Sequence, residues 1–133
     1  MTEEITKADV SDKEEVKLIN YSDFEKLEIV IGKIIKAESI EGADKLLKLT
    51  VDLGEENQRT ICAGIAEYYQ PEEIEGRLAP FIKNLEPRKL KGVESQGMML
   101  MASPDKSEES SIENSRPAFL QPSDKVQPGT KVR

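Results

Sequence analysis

The sequence predicts an all-β fold, a small closed barrel of five short strands with a short helix between the third and the fourth. A run of β-branched residues is interrupted by Gly32, and a glycine inside a strand often marks a bulge or a sharp bend. A second run, from Leu46 to Leu53, alternates apolar and polar residues, which is typical of a half-buried strand. A β-sandwich is the alternative, but it requires more strands than the sequence offers.

Helical signals precede the barrel. Ser11 and Ser22 each stand three residues before a glutamate, which is the spacing of a capping box. The first predicts a short helix from Asp12 to Ile19, for which a frayed, solvated tail is the alternative. The second predicts one helical turn through Phe24 and Leu27.

Glycines and prolines separate the strands that follow. Turns are expected at 42–44 and 54–58, and a helical stretch from Ile65 to Ile74 is interrupted by Pro71. Pro80 indicates a free edge or a bulge in the fourth strand. The five predicted strands are Leu27–Ala37, Leu46–Leu53, Arg59–Ala63, Leu78–Leu85 and Met98–Ala102. Five strands in this arrangement, strongly bent at the first, fit the oligonucleotide/oligosaccharide-binding (OB) fold.

Composition excludes several classes of function. The 133 residues fit one domain, and they carry 26 acidic and 19 basic side chains for a net charge of −7. Histidine is absent, so no Ser-His or Cys-His pair and no imidazole metal ligand can form. A single cysteine, Cys62, excludes an intramolecular disulfide and a multi-cysteine zinc site. No apolar run approaches the roughly 18 residues that a membrane span needs, so we expect no membrane contact. We also expect a cytoplasmic protein without cofactor or metal.

Both ends of the barrel carry additions. Residues 1–20 form an acidic extension, and residues 21–133 form the domain itself. Residues 103–117 are serine-rich and acidic, with a loop-like composition. Apolar residues return after this loop, at Phe119 and Leu120 and again from Val126 to Val132, so the domain continues beyond it.

The densest basic cluster lies in residues 84–92. Arg88, Lys89 and Lys91 fall within four residues of one another, after a proline and before a glycine. Such a loop can present a guanidinium and two ammonium groups to phosphates. The alternative is a solvated turn. Ser95 and Gln96 follow, and their hydroxyl and amide suit either hydrogen bonding to a nucleotide or a plain turn.

These residues together resemble the tRNA-binding domain family over about five-sixths of the chain. The matching segments are Asp23-Phe24, Ile31-Gly32-Lys33-Ile34, Ala43-Asp44-Lys45-Leu46, Val51-Asp52-Leu53-Gly54, Arg59-Thr60-Ile61, Asn84-Leu85, Pro87-Arg88-Lys89-Leu90, Ser95-Gln96-Gly97-Met98 and Pro128-Gly129-Thr130. The resemblance implies the OB fold and structure-specific, non-catalytic binding of tRNA. It also implies service to an aminoacyl-tRNA synthetase, most readily the methionyl enzyme, as a separate subunit or a C-terminal domain.

The resemblance also implies roles for particular residues. It implies tRNA contact for Lys33, Lys45, Arg59, Asn84, Arg88, Lys89, Ser95 and Met98. Lys91 joins them by charge and proximity only, and Asn84 and Ser95 have loop shaping as an alternative role. It further implies a homodimer built from the C-terminal segment, with Phe119, Leu120, Val126 and Val132 at the interface. The alternative function on the same fold is an export-related chaperone or protein-interaction module.

Overall fold

The computed structural model describes residues 16–104 and 116–133. Within these ranges the elements are α1 Tyr21–Glu25, β1 Ile29–Ile40, β2 Ala43–Asp52, β3 Arg59–Ala63, α2 Pro71–Ile74, β4 Leu78–Ile82, β5 Arg88–Leu90, β6 Val93–Ser95, β7 Met98–Met99, β8 Met101–Ala102 and β9 Ala118–Phe119. None of the helices in this part of the chain is long and apolar enough to cross a membrane.

Five antiparallel strands form the main sheet, in the order β3-β2-β1-β4-β7. The sheet curls until its two edges meet. The backbone N–H of Gln96 donates to the carbonyl of Thr60 at 2.7 Å, and the hydroxyl of Ser95 accepts from the N–H of Cys62 at 2.9 Å. The predicted five-stranded OB barrel, with a short helix between the third and fourth strands, is thereby confirmed.

The barrel is filled by the inward-facing half of each strand. On β2 the alternation predicted from the sequence places Leu47, Leu49 and Val51 in the core, each at most 1% exposed. The other fully buried large side chains are Phe81, Ile34, Leu53, Ile61, Ile74 and Val30. Burying each of these side chains contributes on the order of 1.5–3 kcal/mol.

Gly32 has a packing role, and of the bulge or sharp bend expected there, the bulge lies elsewhere. A Cβ at Gly32 would lie 2.5 Å from Cδ2 of Leu53 and 2.9 Å from the ring of Phe81. The first bulge of β1 falls at Ile35, where the register with β2 shifts between Ile34 and Lys36. A glycine in a strand signals either a bulge or a close approach, and here the close approach applies.

The two helices differ from expectation at their starts. Asn20, not Ser22, caps α1, because its side-chain oxygen accepts from the N–H of Asp23 at 2.9 Å. Residues 12–15 of the expected N-terminal helix lie outside the described residues, and residues 16–20 are not helical. Pro71 begins α2 instead of interrupting a longer helix, since the first helical position tolerates a missing N–H.

Pro80 lies inside the sheet, between β1 and β7. Its carbonyl accepts from the N–H of Leu100 at 2.9 Å, so its nitrogen faces the same side. On that side β7 ends at Met99, and the predicted strand Met98–Ala102 is broken into β7 and β8 around Leu100. Leu100 therefore makes one backbone bond to Pro80 instead of two, and the regular ladder ends there because proline has no N–H.

The basic segment predicted as a loop forms a two-stranded hairpin, β5–β6. Lys91 and Gly92 make its turn, with φ values of 52° and 83°. Two consecutive residues with positive φ form the turn that matches the natural twist of a tight hairpin.

The C-terminal residues complete the first strand. The N–H of Gly129 donates to the carbonyl of Ile31 at 2.7 Å, and the N–H of Val132 donates to that of Ile29 at 2.8 Å. Gly54 passes so close to this segment that a Cβ there would lie 2.6 Å from the carbonyl oxygen of Pro128. The start of β1 therefore has partners on both sides, β4 on one and the C-terminal segment on the other.

Candidate nucleic-acid interface

The hairpin β5–β6 connects β4 to β7 and lies against β3. Arg88, Lys89 and Lys91 are all exposed on it. No carboxylate in residues 16–104 or 116–133 forms an ion pair with any of the three. None of the three is held in an ion pair by the described residues, so each can interact with an anionic ligand.

The three cations do not point the same way. Arg88 is paired with Ser95 across the hairpin, and directly paired residues share one face of a sheet. Ser95 is 6% exposed and bonded to β3, so this face is turned toward the barrel. Lys89 pairs with Glu94 on the opposite face, which is turned toward solvent. Arg88 thus faces the barrel while Lys89 faces away from it, with Lys91 at the tip.

A cleft of about 490 Å³ opens where Arg88 faces the barrel. Its walls are mostly apolar, and among the described residues that line it Arg88 is the one that carries a formal charge. The lining residues are Leu46, Cys62, Ala63, Gly64, Ile65, Arg88, Leu90, Met98, Met99, Leu100, Met101, Ser103 and Pro117. We call it the Arg88 cleft. Met98, 42% exposed, is a predicted contact residue that shares it with Arg88.

Arg59 is engaged inside the protein. Its Nε and Nη2 donate to the two carboxylate oxygens of Glu55, both at 2.9 Å. Its Nη1 donates to the carbonyls of Lys83 at 2.6 Å and Gln96 at 3.1 Å. With four hydrogen bonds committed, the guanidinium ties β3 to the end of β4 and to the β6–β7 connection. This geometry favours a structural role over the predicted tRNA contact.

Asn84 and Ser95 are engaged in the same way. The amide of Asn84 accepts from the N–H of Glu28 at 2.9 Å and donates to the carbonyl of Lys26 at 2.6 Å, which fixes the approach to β1. The hydroxyl of Ser95 accepts from Cys62 and lies 3.2 Å from the carbonyl of Gly97. Of the two roles considered for these residues, the geometry favours holding the loops in shape.

The remaining predicted lysines lie apart from the hairpin. Lys33 is exposed on β1, opposite Asp52 of β2 and Leu78 of β4. Lys45 is exposed on β2, and its carbonyl accepts from the N–H of Ala66 at 3.1 Å, next to the wall of the Arg88 cleft. The structure therefore brings Lys45 toward the hairpin and leaves Lys33 two strands away from β3.

Sequence reasoning missed Lys48. It is paired with Cys62 on the outer face of β2 and β3, beside the hairpin. Burial raises the pKa of the Cys62 thiol above its ordinary value, although Lys48 and the Ser95 hydroxyl act in the opposite direction. The thiol is consequently neutral at physiological pH. The alternation of β2 marks Lys48 as outward-facing, but the fold alone places it next to the hairpin.

Two arginines outside the predicted set stack on aromatic rings. The Arg116 guanidinium lies 4.1 Å from the ring centroid of Tyr69, and that of Arg77 lies 4.6 Å from Phe119. The two rings meet edge to face at 5.3 Å, and the Tyr69 hydroxyl donates to the carbonyl of Pro117 at 2.6 Å. Phe119, predicted at a dimer interface, thus packs on its own barrel.

The other predicted interface residues are more accessible. Leu120 and Val132 are 44% and 41% exposed, and Val126 is half-buried.

A curled antiparallel barrel of five strands, with a cationic connection beside its third strand, is the architecture of an OB-fold protein. Residues 29–131 match the family model described as "Putative tRNA binding domain". The chain belongs to this tRNA-binding domain family.

Relatives and solved structures agree with this assignment. The chain is 44% identical over 119 residues to the methionine–tRNA ligase of Archaeoglobus fulgidus, and the match covers 90% of the chain but 17% of the ligase. It resembles a MetRS-related protein from Pyrococcus horikoshii, with 36% identity and a TM-score of 0.77 over 89% of this chain and 100% of that one. It also resembles the chaperone CsaA of Bacillus anthracis, with 26% identity and a TM-score of 0.74 over 88% and 100%.

Proposed function

We propose that this chain is a non-catalytic tRNA-binding domain that binds RNA through the β5–β6 hairpin. One observation carries the proposal: three cations, none of them ion-paired within residues 16–104 and 116–133, stand on the connection between β4 and β7, beside β3. OB folds bind oligonucleotides on the face of their second and third strands and with this connection. The family to which the chain belongs makes tRNA the ligand.

We assign the predicted contact residues to two groups. Arg88, Lys89, Lys91 and Met98 meet the RNA, with Lys45 at the margin and Lys33 as an outlying contact. Arg59, Asn84 and Ser95 act indirectly, because their polar atoms already hold the strands and loops that support the hairpin.

The net charge of −7 is compatible with this role. At physiological salt the screening length is about 8 Å, so distant carboxylates influence a bound phosphate less than the hairpin cations do. We expect moderate affinity with strong salt dependence, from two to four phosphate contacts per chain.

In its biological setting the domain serves methionyl-tRNA synthetase, either as part of it or as a separate subunit. The match to a methionine–tRNA ligase over 17% of its length supports this placement. A second tRNA contact raises overall affinity by effective concentration when both contacts fit the same tRNA. Residues 21–133 supply the binding unit and residues 1–20 an extension. A homodimer through Leu120, Val126 and Val132, with Phe119 supporting the segment from within, would double the number of contacts.

Titration with tRNA tests the proposal directly. The purified chain is titrated with total tRNA at two salt concentrations, beside a simple RNA hairpin of similar charge. Tighter, salt-sensitive binding of tRNA supports structure-specific recognition. Equal binding of both RNAs would show that the surface attracts phosphates without recognising tRNA structure. Absence of binding at low salt refutes the proposal.

A chaperone function is the second candidate, favoured by the likeness to CsaA and by the apolar walls of the Arg88 cleft. The two functions differ in a competition experiment. If an unfolded polypeptide binds at this surface, it displaces tRNA. The Arg88→Gln variant should then bind the polypeptide with unchanged affinity and bind tRNA more weakly.

A further inference from the structure

We propose that the Arg88 cleft holds one unstacked nucleobase of the bound RNA while Arg88 contacts the neighbouring phosphate. This rests on the proposed function and deepens it, because it adds an unpaired nucleotide to what the surface recognises. A duplex presents only its backbone and groove edges to a shallow surface, whereas a loop or an end can turn a base out of its stack.

The cleft has the size and the walls that a base requires. Its volume of about 490 Å³ lies within the roughly 300–1,000 Å³ typical of sites for small molecules. Met98, Met99 and Met101 line it together with Leu46 and Leu90. Thioether sulfurs contact aromatic faces favourably, so methionines can enclose a base where an aromatic side chain is lacking.

Charge favours a nucleotide over a neutral or basic apolar group. Arg88 is the one formally charged residue among the described lining residues, and no carboxylate accompanies it there. Lys48 stands on the adjacent outer face, paired with Cys62 of the cleft wall. The Cys62 thiol adds no negative charge, since its pKa is raised by burial. An apolar cleft with a cationic rim complements the π face of a base and the phosphate beside it.

The cleft offers few polar side chains to read the edge of a base. Among the described residues that line it, these are Arg88, Ser103 and Cys62. Discrimination between one base and another depends on such groups, so we expect weak base preference. Discrimination between an intact and an abasic nucleotide depends on packing against the cleft walls, so this difference in affinity should be pronounced.

An abasic substitution isolates that packing. The probes are a fluorescein-labelled pentauridylate and the same pentamer with an abasic central nucleotide, which carries equal charge. We expect the full chain to bind the abasic pentamer about five-fold more weakly, the lower end of the range for a base packed on a side chain. The intact pentamer should also slow alkylation of Cys62 by iodoacetamide, and the abasic one should slow it less.

Two matched variants assign the effect to the cleft. Met98→Ala removes a cleft wall and should shrink the five-fold difference. Ile35→Ala removes a side chain of similar exposure, 40% against 42%, outside the cleft, and should leave the difference unchanged. Arg88→Gln should lower the salt slope by about 0.7, as expected for one phosphate of a single strand, and retain the preference for the base.

Failure of the inference differs from failure of the proposed function. If tRNA binds in a salt-dependent manner but both pentamers bind equally, or neither binds, the cleft holds no base and the proposed function stands. If neither tRNA nor the pentamers bind, both proposals fall. If an apolar peptide protects Cys62 and the pentamer does not, the cleft belongs to a peptide side chain.

Discussion

Neutralising the hairpin should weaken tRNA binding chiefly through its salt dependence. The variant combines Arg88→Gln and Lys89→Gln with Lys91→Asn, because Lys91 has a φ of 52° and asparagine tolerates that conformation. Each phosphate contact releases about 0.9 counterion, so three contacts contribute about 2.7 to the slope of log K against log salt. At about 0.1 M salt this corresponds to about 3.7 kcal/mol, or about 500-fold in affinity, as an upper figure.

Anisotropy of labelled tRNA between about 50 and about 200 mM salt measures both quantities. Arg59→Gln is the control for charge lost outside the hairpin, since it removes one positive charge where the triple variant removes three. Its guanidinium holds Glu55 and two carbonyls, so its loss should lower the free energy of unfolding by about 2–3 kcal/mol. While the Arg59 variant remains folded, its salt slope should match that of the wild type.

Two results would contradict this reasoning. A triple variant that keeps the wild-type slope would move the phosphate contacts away from the hairpin. A folded Arg59 variant whose salt slope is lower by about one unit would show that Arg59 contacts a phosphate of the RNA.

Three further predictions concern the fold. Gly32→Ala should destabilise the barrel by about 1–3 kcal/mol in urea unfolding, because its Cβ would lie 2.5 Å from Leu53; Gly64→Ala, with 3.9 Å to the nearest atom, is the control and should change little. Ser95→Ala leaves the N–H of Cys62 without its acceptor and should lower the free energy of unfolding by about 1–3 kcal/mol. Amide hydrogen exchange in β3 should become faster. Unchanged exchange would contradict the role of this hydroxyl in closing the barrel. Alkylation of Cys62 should have its midpoint at higher pH in the folded chain than in urea, because burial raises the pKa of the thiol. The contribution of this thiol to folding stability is therefore present below the ordinary thiol pKa and is lost as pH rises through the folded-state pKa. Equal alkylation midpoints in the two states would contradict this.

The strands were largely predictable, because their information is local. β3 was predicted with the bounds observed, Arg59–Ala63, and β2 shows the alternation that the sequence displays. The hairpin β5–β6 was predicted as a loop, because its three-residue strands are too short to show a period. Gly32 was expected to mark a bulge or a sharp bend, because local sequence does not distinguish these from a close contact with a distant ring.

The residues proposed for the site could be selected from the sequence, but their proposed roles could not be separated there. Arg88 and Lys89 were identified from their clustering, which is local. Arg59 fitted the same pattern of a basic residue near the interface, but its partners Lys83 and Gln96 lie 24 and 37 residues away. Residue type reveals what a side chain can donate, whereas only the fold reveals which donors are already in use.

The pairing of residues 129–132 with the start of β1 has a consequence for biosynthesis. About a hundred residues separate Ile29 from its partner Val132, and such non-local pairings slow folding. At roughly 5–20 residues per second, a ribosome needs about 5–20 s to deliver the second partner after the first. During that interval the edge of the first strand offers unpaired N–H and C=O groups to other nascent chains. Substitutions that weaken the C-terminal segment should therefore reduce the yield of soluble protein in the cell more than they reduce the stability of the finished barrel.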